Sequence, residues 1–436
     1  MLLTLNPTKI YYCKFAWAGF ILIYMPRRRK PDLVFPNKFL WGASTSSHQV
    51  EGNTINQWSE WELSESRVRD LERHGHIKRY GLENYVSGKA CDHYNKFEND
   101  FKLAKKLGHN VHRLSIEWSR IEPEKGVFDK KEIQHYKHVV KTLKKLGIEP
   151  FVTLWHWTLP LWLAYEGGWE SKKTPEYFAR FAEKMVSELD KNVQFWITLN
   201  EPLIYSSISY LLGRWPPQRR SVFSFLKVTQ NLIIGHIKAY KRIKIGFPKT
   251  KIGIAKHNTY FEAGSGQLNM LIKKIADKLW NFYFLNRIKN NQDFIGLNYY
   301  FHNKIHYGFN KNENKKTSDI GWELYPQGIY YCLKDLEKYG KPIYITENGL
   351  ADEKDSNRPW FLKEILKNTH KAIEEGVDVR GYLYWSLMDN FEWADGFLPR
   401  FGLVAIDYKT QKRTPRESAK FYKEIIKQNG IDKKMI

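Results

Sequence analysis

Two short apolar runs in this chain end in the same way. Residues 342–345 are β-branched or aromatic after a proline, and they lead into Thr346-Glu347-Asn348-Gly349. Residues 193–199 lead into Asn200-Glu201-Pro202. Runs of this kind read as buried strands. Burying an unpaired charge is costly and glutamate is a poor turn former, so neither acid is explained as core or as turn. Similar runs recur at 39–43, 111–116, 150–155, 252–255, 294–297 and 381–385. Between most of them lie stretches with helical spacing. In 133–146, Ile133, Tyr136, Val139, Val140, Leu143 and Leu146 form one stripe, and Gly147 follows. In 94–107, Phe97, Phe101, Leu103, Ala104 and Leu107 precede Gly108. Glycine after the last periodic residue is a helix-stop signal. Stretches 178–189 and 361–373 behave alike. Strand then helix, repeated eight times, predicts an α/β fold: a closed (β/α)8 TIM barrel. No Pro/Ser-rich linker divides it, so residues 33–436 read as a single catalytic domain with extended βα loops. Two polar stretches, 53–89 and 302–320, break the alternation and are expected to be loops at the barrel mouth.

Composition changes this picture little. The chain has 436 residues, 42% hydrophobic and 27% charged, which is globular. A barrel with loop insertions fills that length alone. Three cysteines, Cys13, Cys91 and Cys332, form no CxxC or Cys/His cluster. That argues against a zinc site or a disulfide framework and for a reducing, cytoplasmic setting. The formal net charge of +23 fits a lysine-rich solvated surface, as at Lys105-Lys106 and Lys144-Lys145. No zinc-finger, RNP-type or homeodomain signature accompanies it, and the basic residues are spread out, so no nucleic-acid partner is expected.

The chemistry gathers after the strands, on the face where barrel enzymes work. His156 alone would read as a satisfied core histidine and Arg113 alone as a structural ion pair. Trp385 alone would be core, and Glu392 alone a surface acid. Together they put an imidazole, a guanidinium, amides, phenols and acids on one face of one barrel. The two strand-end glutamates suggest a two-carboxylate mechanism.

Four motifs occur in order with barrel spacing: Phe39-Leu40-Trp41-Gly42-Ala43-Ser44, Thr198-Leu199-Asn200-Glu201-Pro202, Ile345-Thr346-Glu347-Asn348-Gly349, and Trp385-Ser386-Leu387-Met388-Asp389-Asn390-Phe391-Glu392-Trp393. On these the chain resembles glycoside hydrolase family one, the β-glucosidase family, over nearly all of 35–426. The resemblance implies a retaining exo-β-glycosidase acting on β-glucosyl residues of small β-glycosides or oligosaccharides. It implies Glu201 as acid/base and Glu347 as nucleophile, with Arg113 and Tyr300 beside the nucleophile. Asn200 matches the residue that binds the sugar 2-hydroxyl. Gln49, His156, Glu392 and Trp393 match the sugar pocket and Trp385 its floor, with Trp157, Asn298, Trp322 and Phe401 also binding substrate. No metal or organic cofactor is called for. Glu392 suits neutral hydroxyls, where phospho-glycosidase relatives carry a serine with Lys and Tyr. A 6-phospho-β-glycosidase is therefore the second reading. A catalytically dead sugar-binding barrel is the third, and the presence of both acids argues against it. The chain departs from the family pattern at His48, Ile365 and Pro399, where Tyr, His and Lys are usual, and in a shorter stretch at 260–279.

Residues 1–32 read as an N-terminal extension. An uncharged apolar run, 15–25, precedes Arg27-Arg28-Arg29-Lys30. A signal peptide would have the opposite charge order, and Lys14 leaves the run too short to span a bilayer. The favoured reading is that translation starts at Met25, with membrane association of residues 1–25 second. A protein starting at Met25 should then stay in the supernatant on centrifugation and match the full chain in glucosidase activity. Insolubility or lost activity would count against that start.

Overall fold

The computed structural model describes residues 31–432, so the expectations about residues 1–25 lie outside the described residues. Eight parallel strands close into a barrel. They are β1 (Leu40–Ser44), β2 (Val111–Ser115), β3 (Glu149–Trp155), β4 (Phe195–Asn200), β5 (Lys251–Ala263), β6 (Phe294–Ile305), β7 (Ile343–Glu347) and β8 (Val379–Trp385). Strand β1 pairs with both β2 and β8, which closes the ring. The helices that follow are α1 (His93–Lys106), α2 (Lys130–Lys145), α3 (Thr174–Leu189), α4 (Val222–Gly246), α5 (Gln267–Ala276), α6 (Gly328–Glu337), α7 (Arg358–Glu374) and α8 (Glu417–Gln428). The fold is the (β/α)8 barrel that the alternation predicts.

Local sequence sets the helix ends. Asp129 caps α2 by accepting from the backbone N–H groups of Lys131 and Glu132, and Ser221 caps α4 through Ser224. Such caps satisfy donors that the helix itself leaves free. Gly147, just past α2, sits at φ +66°, where a side chain would be strained. The stop signal read from the sequence has this physical basis.

Two apolar layers hold the barrel. The larger packs between strands and helices and includes Val139, Val140 and Leu143 of α2, Phe178 and Phe181 of α3, and Leu362 and Ile365 of α7. Ile365 is therefore core, which is why a polar residue is absent there. A smaller layer plugs the barrel interior with Val111, Phe151, Ile197, Ala255, Phe294, Tyr344 and Leu383. The Phe151 and Phe195 rings stack 4.3 Å apart inside it. Inward positions on a strand recur every second residue. Two steps above Val111 comes Arg113, and two above Phe151 comes Thr153. The plug thus ends and a polar layer begins one repeat higher, toward the mouth.

Two expectations about the loops need correction. The 53–89 stretch is largely helical, with Gln57–Glu62, Glu65–Arg73 and His76–Tyr80. Asn56 caps the first of these in a capping box with Ser59, and Ser64 caps the second. These helices are short, with at most two large apolar residues on a face such as Trp58 and Trp61, so hydrophobic spacing did not reveal them. The 302–320 stretch begins as strand: β6 runs on to Ile305 and pairs with a long β5 as far as Ala263↔Ile305. Together β5 and β6 rise above the barrel mouth as a ribbon. The 260–279 stretch supplies the end of β5 and then α5, whose Leu268, Leu271 and Ile275 side lies exposed.

Candidate active site

The last residue of β7 is Glu347, and Glu201 directly follows β4. Both carboxyls face the mouth, 4% and 5% exposed. Glu201 takes a left-handed backbone, φ +39°, followed by Pro202 as the first residue of a short helix. Trp157 and Trp393 are also left-handed, at φ +74° and +53°. Non-glycine residues there cost of order 1–3 kcal/mol each, and such strain clusters at functional sites. Gly349 lets β7 end close to β8, since a Cβ there would lie 1.9 Å from the Trp385 carbonyl oxygen.

Arg113 organises the floor of the site. Its guanidinium pairs with Glu347 Oε1 and donates to Asn200 Oδ1 at 2.6 Å and Thr153 Oγ1 at 3.0 Å. Tyr300 donates to the other oxygen of Glu347 at 3.0 Å. Asn298 donates to Glu201 at 2.8 Å, and its own carbonyl accepts from Thr346 at 2.7 Å, which fixes which way the amide points. Asn200 contacts His156 Nε2 at 3.0 Å, and its backbone carbonyl accepts from Trp157 at 3.0 Å. Gln49 donates to Asn390 at 2.9 Å, to the Phe391 carbonyl at 2.8 Å and to Glu392 at 3.3 Å.

These groups surround a cavity of about 370 Å³. Glu201, Glu347, Tyr300, His156, Trp157, Trp322, Trp385, Glu392, Trp393 and Phe401 line it. Arg113, Gln49, Asn200 and Asn298 stand behind the lining and hold it through the bonds just given. The structure thus brings together the fourteen residues that the sequence assigns to catalysis and substrate binding. It adds Ile204, Ile208, Arg214, Trp215, His257 and Phe301 on the walls. Ile204, Ile208 and Phe301 gave no sequence signal, because apolar wall residues read as core.

His48 does not reach the cavity. It bonds Glu62 at 2.9 Å and Thr54 at 2.8 Å and stacks on Trp393 with ring centroids 5.5 Å apart. It braces an aromatic wall that also includes Trp58, 4.6 Å from Trp393. Lys256 is a second addition. It is fully buried, donates to the His257 carbonyl, and is pushed down to about 7 by burial, with Glu201 opposing that shift.

The two carboxyls sit in unlike environments. Burial raises both. Arg113, Tyr300 and Asn298 pull Glu347 back toward the charged form. Glu201 has only the Asn298 amide bonded to it, and burial first, then the Glu347 charge, push it up to about 8. The pair therefore keeps its proton on Glu201 and its charge beside Arg113. Burial and then the Arg113 charge hold His156 well below the usual imidazole range, so its ring is neutral. Burial, then Asp395, Glu347 and Glu201, lift Glu392 well above the usual carboxylate range.

Two buried carboxyls with separated proton affinities, at the C-terminal end of a TIM barrel, in a cavity walled by aromatic rings, define a glycoside hydrolase. Residues 32–284 and 271–431 match glycosyl hydrolase family 1, and the chain belongs to that family. It is 33% identical to β-glucosidase A of Thermotoga maritima over 91% of this chain and 99% of the relative. It superposes on the β-glycosidase from Pyrococcus horikoshii with a TM-score of 0.83 at 38% identity, covering 93% of this chain and 97% of the other. A Thermotoga maritima β-glucosidase in complex with glucoimidazole gives a TM-score of 0.84 at 32% identity, over 92% and 100% of the two chains.

The unequal environments have a measurable consequence. Glu201 should stay protonated up to about pH 8, so its infrared carboxyl band, identified by its absence in Glu201→Gln, should fade as pH rises through that value. Because the folded pKa lies above the unfolded one, the stability contribution of this group is present at low pH and lost across the same rise. In Glu347→Gln the Coulomb push is gone and the transition should move to lower pH. A transition that stays put would mean that the two carboxyls are not coupled.

Proposed function

We propose that this β-glycosidase is a retaining exo-enzyme that removes terminal non-reducing β-D-glucosyl residues by double displacement. The observation that supports it best is the unlike pairing of the two carboxyls: Glu347 against Arg113 and Tyr300, Glu201 against an amide alone. Glu347, charged, attacks the anomeric carbon. Glu201, protonated, gives its proton to the departing glycosidic oxygen. The covalent glycosyl-enzyme is then opened by water, whose proton returns to Glu201. Carboxyls about 5 to 5.5 Å apart give retention by this route. Arg113 keeps the nucleophile ionised, and Tyr300, whose phenol burial and the neighbouring acids push well above its usual range, remains a donor.

Asn200, neutral His156, Gln49 and Glu392 supply hydrogen bonds to the sugar hydroxyls, and Trp385 and Trp393 supply apolar faces. Trp157, Asn298, Trp322 and Phe401 complete the substrate site. A relative 29% identical over 92% of this chain, from Pyrococcus woesei, is named a β-galactosidase, which supports testing β-galactosides and β-fucosides beside glucosides. We read residues 33–436 as one domain working in the cytoplasm, on the composition and the scattered cysteines. No helix among the described residues is long and apolar enough to cross a membrane.

Glu347→Gly should abolish hydrolysis, and added azide or formate should partly restore turnover. Azide replacing the nucleophile gives an α-configured product. A β-configured azide product would instead assign the acid/base role to this position.

Among the described residues no cation pairs with Glu392, whose side chain is bonded by Gln49. A sugar 6-phosphate would lose that polar corner and gain nothing for its charge. Leaving a buried polar group such as the Glu392 carboxyl without its partner costs about 1–3 kcal/mol. The wild type should prefer a neutral glucoside over its 6-phosphate by at least roughly 100-fold in kcat/KM, about 2.7 kcal/mol. Glu392→Ser should narrow that gap, mainly by harming the neutral substrate. Equal selectivity before and after would show that Glu392 does not meet the sugar, and a wild type that prefers the phosphate would overturn the neutral-sugar assignment.

A further inference from the structure

A second, wider cleft of about 800 Å³ opens beside the catalytic cavity. The two share a wall of Arg214, Trp322, Ala394 and Asp395. None of Glu201, Glu347 and Glu392 lines the wider cleft. Its lining is basic instead: Arg67, Arg69, Arg73, Arg214 and Arg220 stand against Asp70 and Asp395.

These arginines differ in what occupies them. Arg67 is tied into the fold. Its guanidinium lies 4.7 Å from the Trp61 ring centroid, donates to the Ala394 carbonyl and lies 4.0 Å from Asp70. Arg69 reaches Glu65 at 3.3 Å. Arg73, Arg214 and Arg220 are exposed. Among the described residues, no hydrogen bond or ion pair occupies their guanidinium groups. Burial lifts Asp395, against the pull of Arg67, His76 and Arg214.

The basic groups come from two separate stretches. Helix Glu65–Arg73 carries three of them, and the segment between β4 and α4 carries Arg214 and Arg220. The stretches are joined by a hydrogen bond from Ser66 to Gln218 at 2.9 Å. Asp70, Asp395 and Glu65 offset part of this charge, and the forks of Arg73, Arg214 and Arg220 stay open toward the cleft. A concave wall also focuses the field on whatever enters. Free guanidinium forks match the oxygens of sulfate, phosphate or carboxylate.

The direction of approach follows from the shared wall. Gln49, His156 and Glu392 belong to the sugar end of the catalytic cavity and not to the cleft. The shared wall of Arg214, Trp322, Ala394 and Asp395 is where a substrate seated there can extend into the cleft. We propose that the cleft is an anion-binding annex that selects β-glycosides whose leaving group carries a sulfate, phosphate or carboxylate. This rests on the glycosidase reading, whose sugar pocket sets which end points outward.

The test uses S-linked β-glucosides, which resist hydrolysis, in a matched pair with a neutral or a sulfated aglycone. Calorimetry should give the sulfated compound a Kd about fivefold or more lower for the wild type at low salt, a size in keeping with exposed charge pairs. The gap should close as salt is added. In the double variant Arg73→Glu/Arg220→Glu it should vanish, while the neutral compound binds both proteins alike. Equal binding of the pair to the wild type, or selectivity that survives the double substitution, would overturn the annex. A larger gain from a sulfate on the glucose 6-oxygen than on the aglycone would overturn its assignment to the leaving-group side. Hydrolysis of neutral aryl glucosides is read in parallel. Failure there, with charge-selective binding intact, would sink the glycosidase reading and leave the anion site standing.

Discussion

The site depends on one buried cation. Two carboxyls in a low-dielectric cavity would both pick up protons or push the chain apart, because desolvation of each ion costs several kcal/mol. Arg113 prevents that for one of them. It sits two residues above the apolar plug on β2 and touches β3 through Thr153, β4 through Asn200 and β7 through Glu347. One guanidinium therefore joins four strands and selects which acid is charged. A lysine could neutralise Glu347 but lacks the planar fork that serves three partners at once. Truncating Arg113 would leave a buried carboxylate without its counter-ion, and the asymmetry with Glu201 would collapse.

The barrel makes this polar layer possible. Parallel strands buried on both faces need no polar residue for their own stability. The outer face packs on helices, and the lower interior is filled by Phe151, Phe294, Tyr344 and their neighbours. Those layers hold the strand ends still. Against that frame, the left-handed backbone at Trp157, Glu201 and Trp393 can be tolerated. Asn298 shows how far the constraint reaches: Thr346 on β7 orients its amide, which then aims at Glu201 after β4. A rotation of one strand would break the link between the two acids.

Much of this was legible in the sequence because it lies on regular elements. Apolar runs marked all eight barrel strands, and glycines marked the ends of α1 and α2. Glu201 and Glu347 stood out because an acid at the end of a buried strand has no structural reason to be there. What stayed hidden were features that depend on long-range packing. The helices Gln57–Glu62 and Glu65–Arg73 are too short to show a period and are set by their caps and by packing such as Trp58 against Trp393. The extension of β5 and β6 beyond the barrel needs each strand as partner for the other. Lys256 directly follows the apolar run 252–255, and nothing local says that its ammonium turns inward toward Glu201. His48 departs from the family pattern, and only the fold shows that its ring braces Trp393.

The charge layout completes the argument. The chain carries a formal net charge of +23, yet three carboxyls, Glu201, Glu347 and Glu392, line its catalytic cavity, with Arg113 behind them. Lys256 adds a second buried cation whose charge is conditional. It is pushed down to about 7, while Glu201 is pushed up to about 8. Each group feels the other's charge, and the charged pair and the neutral pair carry the same net charge. Desolvation penalises two ions more than two neutral groups, which favours the neutral pair. Glu201 then holds its proton and Lys256 imposes no charge to draw it away. A substrate that excludes the remaining water strengthens the same preference, since every charge term grows as the local dielectric falls. The proton is thus kept where a departing oxygen needs it, by one cation that is fixed beside Glu347 and another that is free to become neutral beside Glu201.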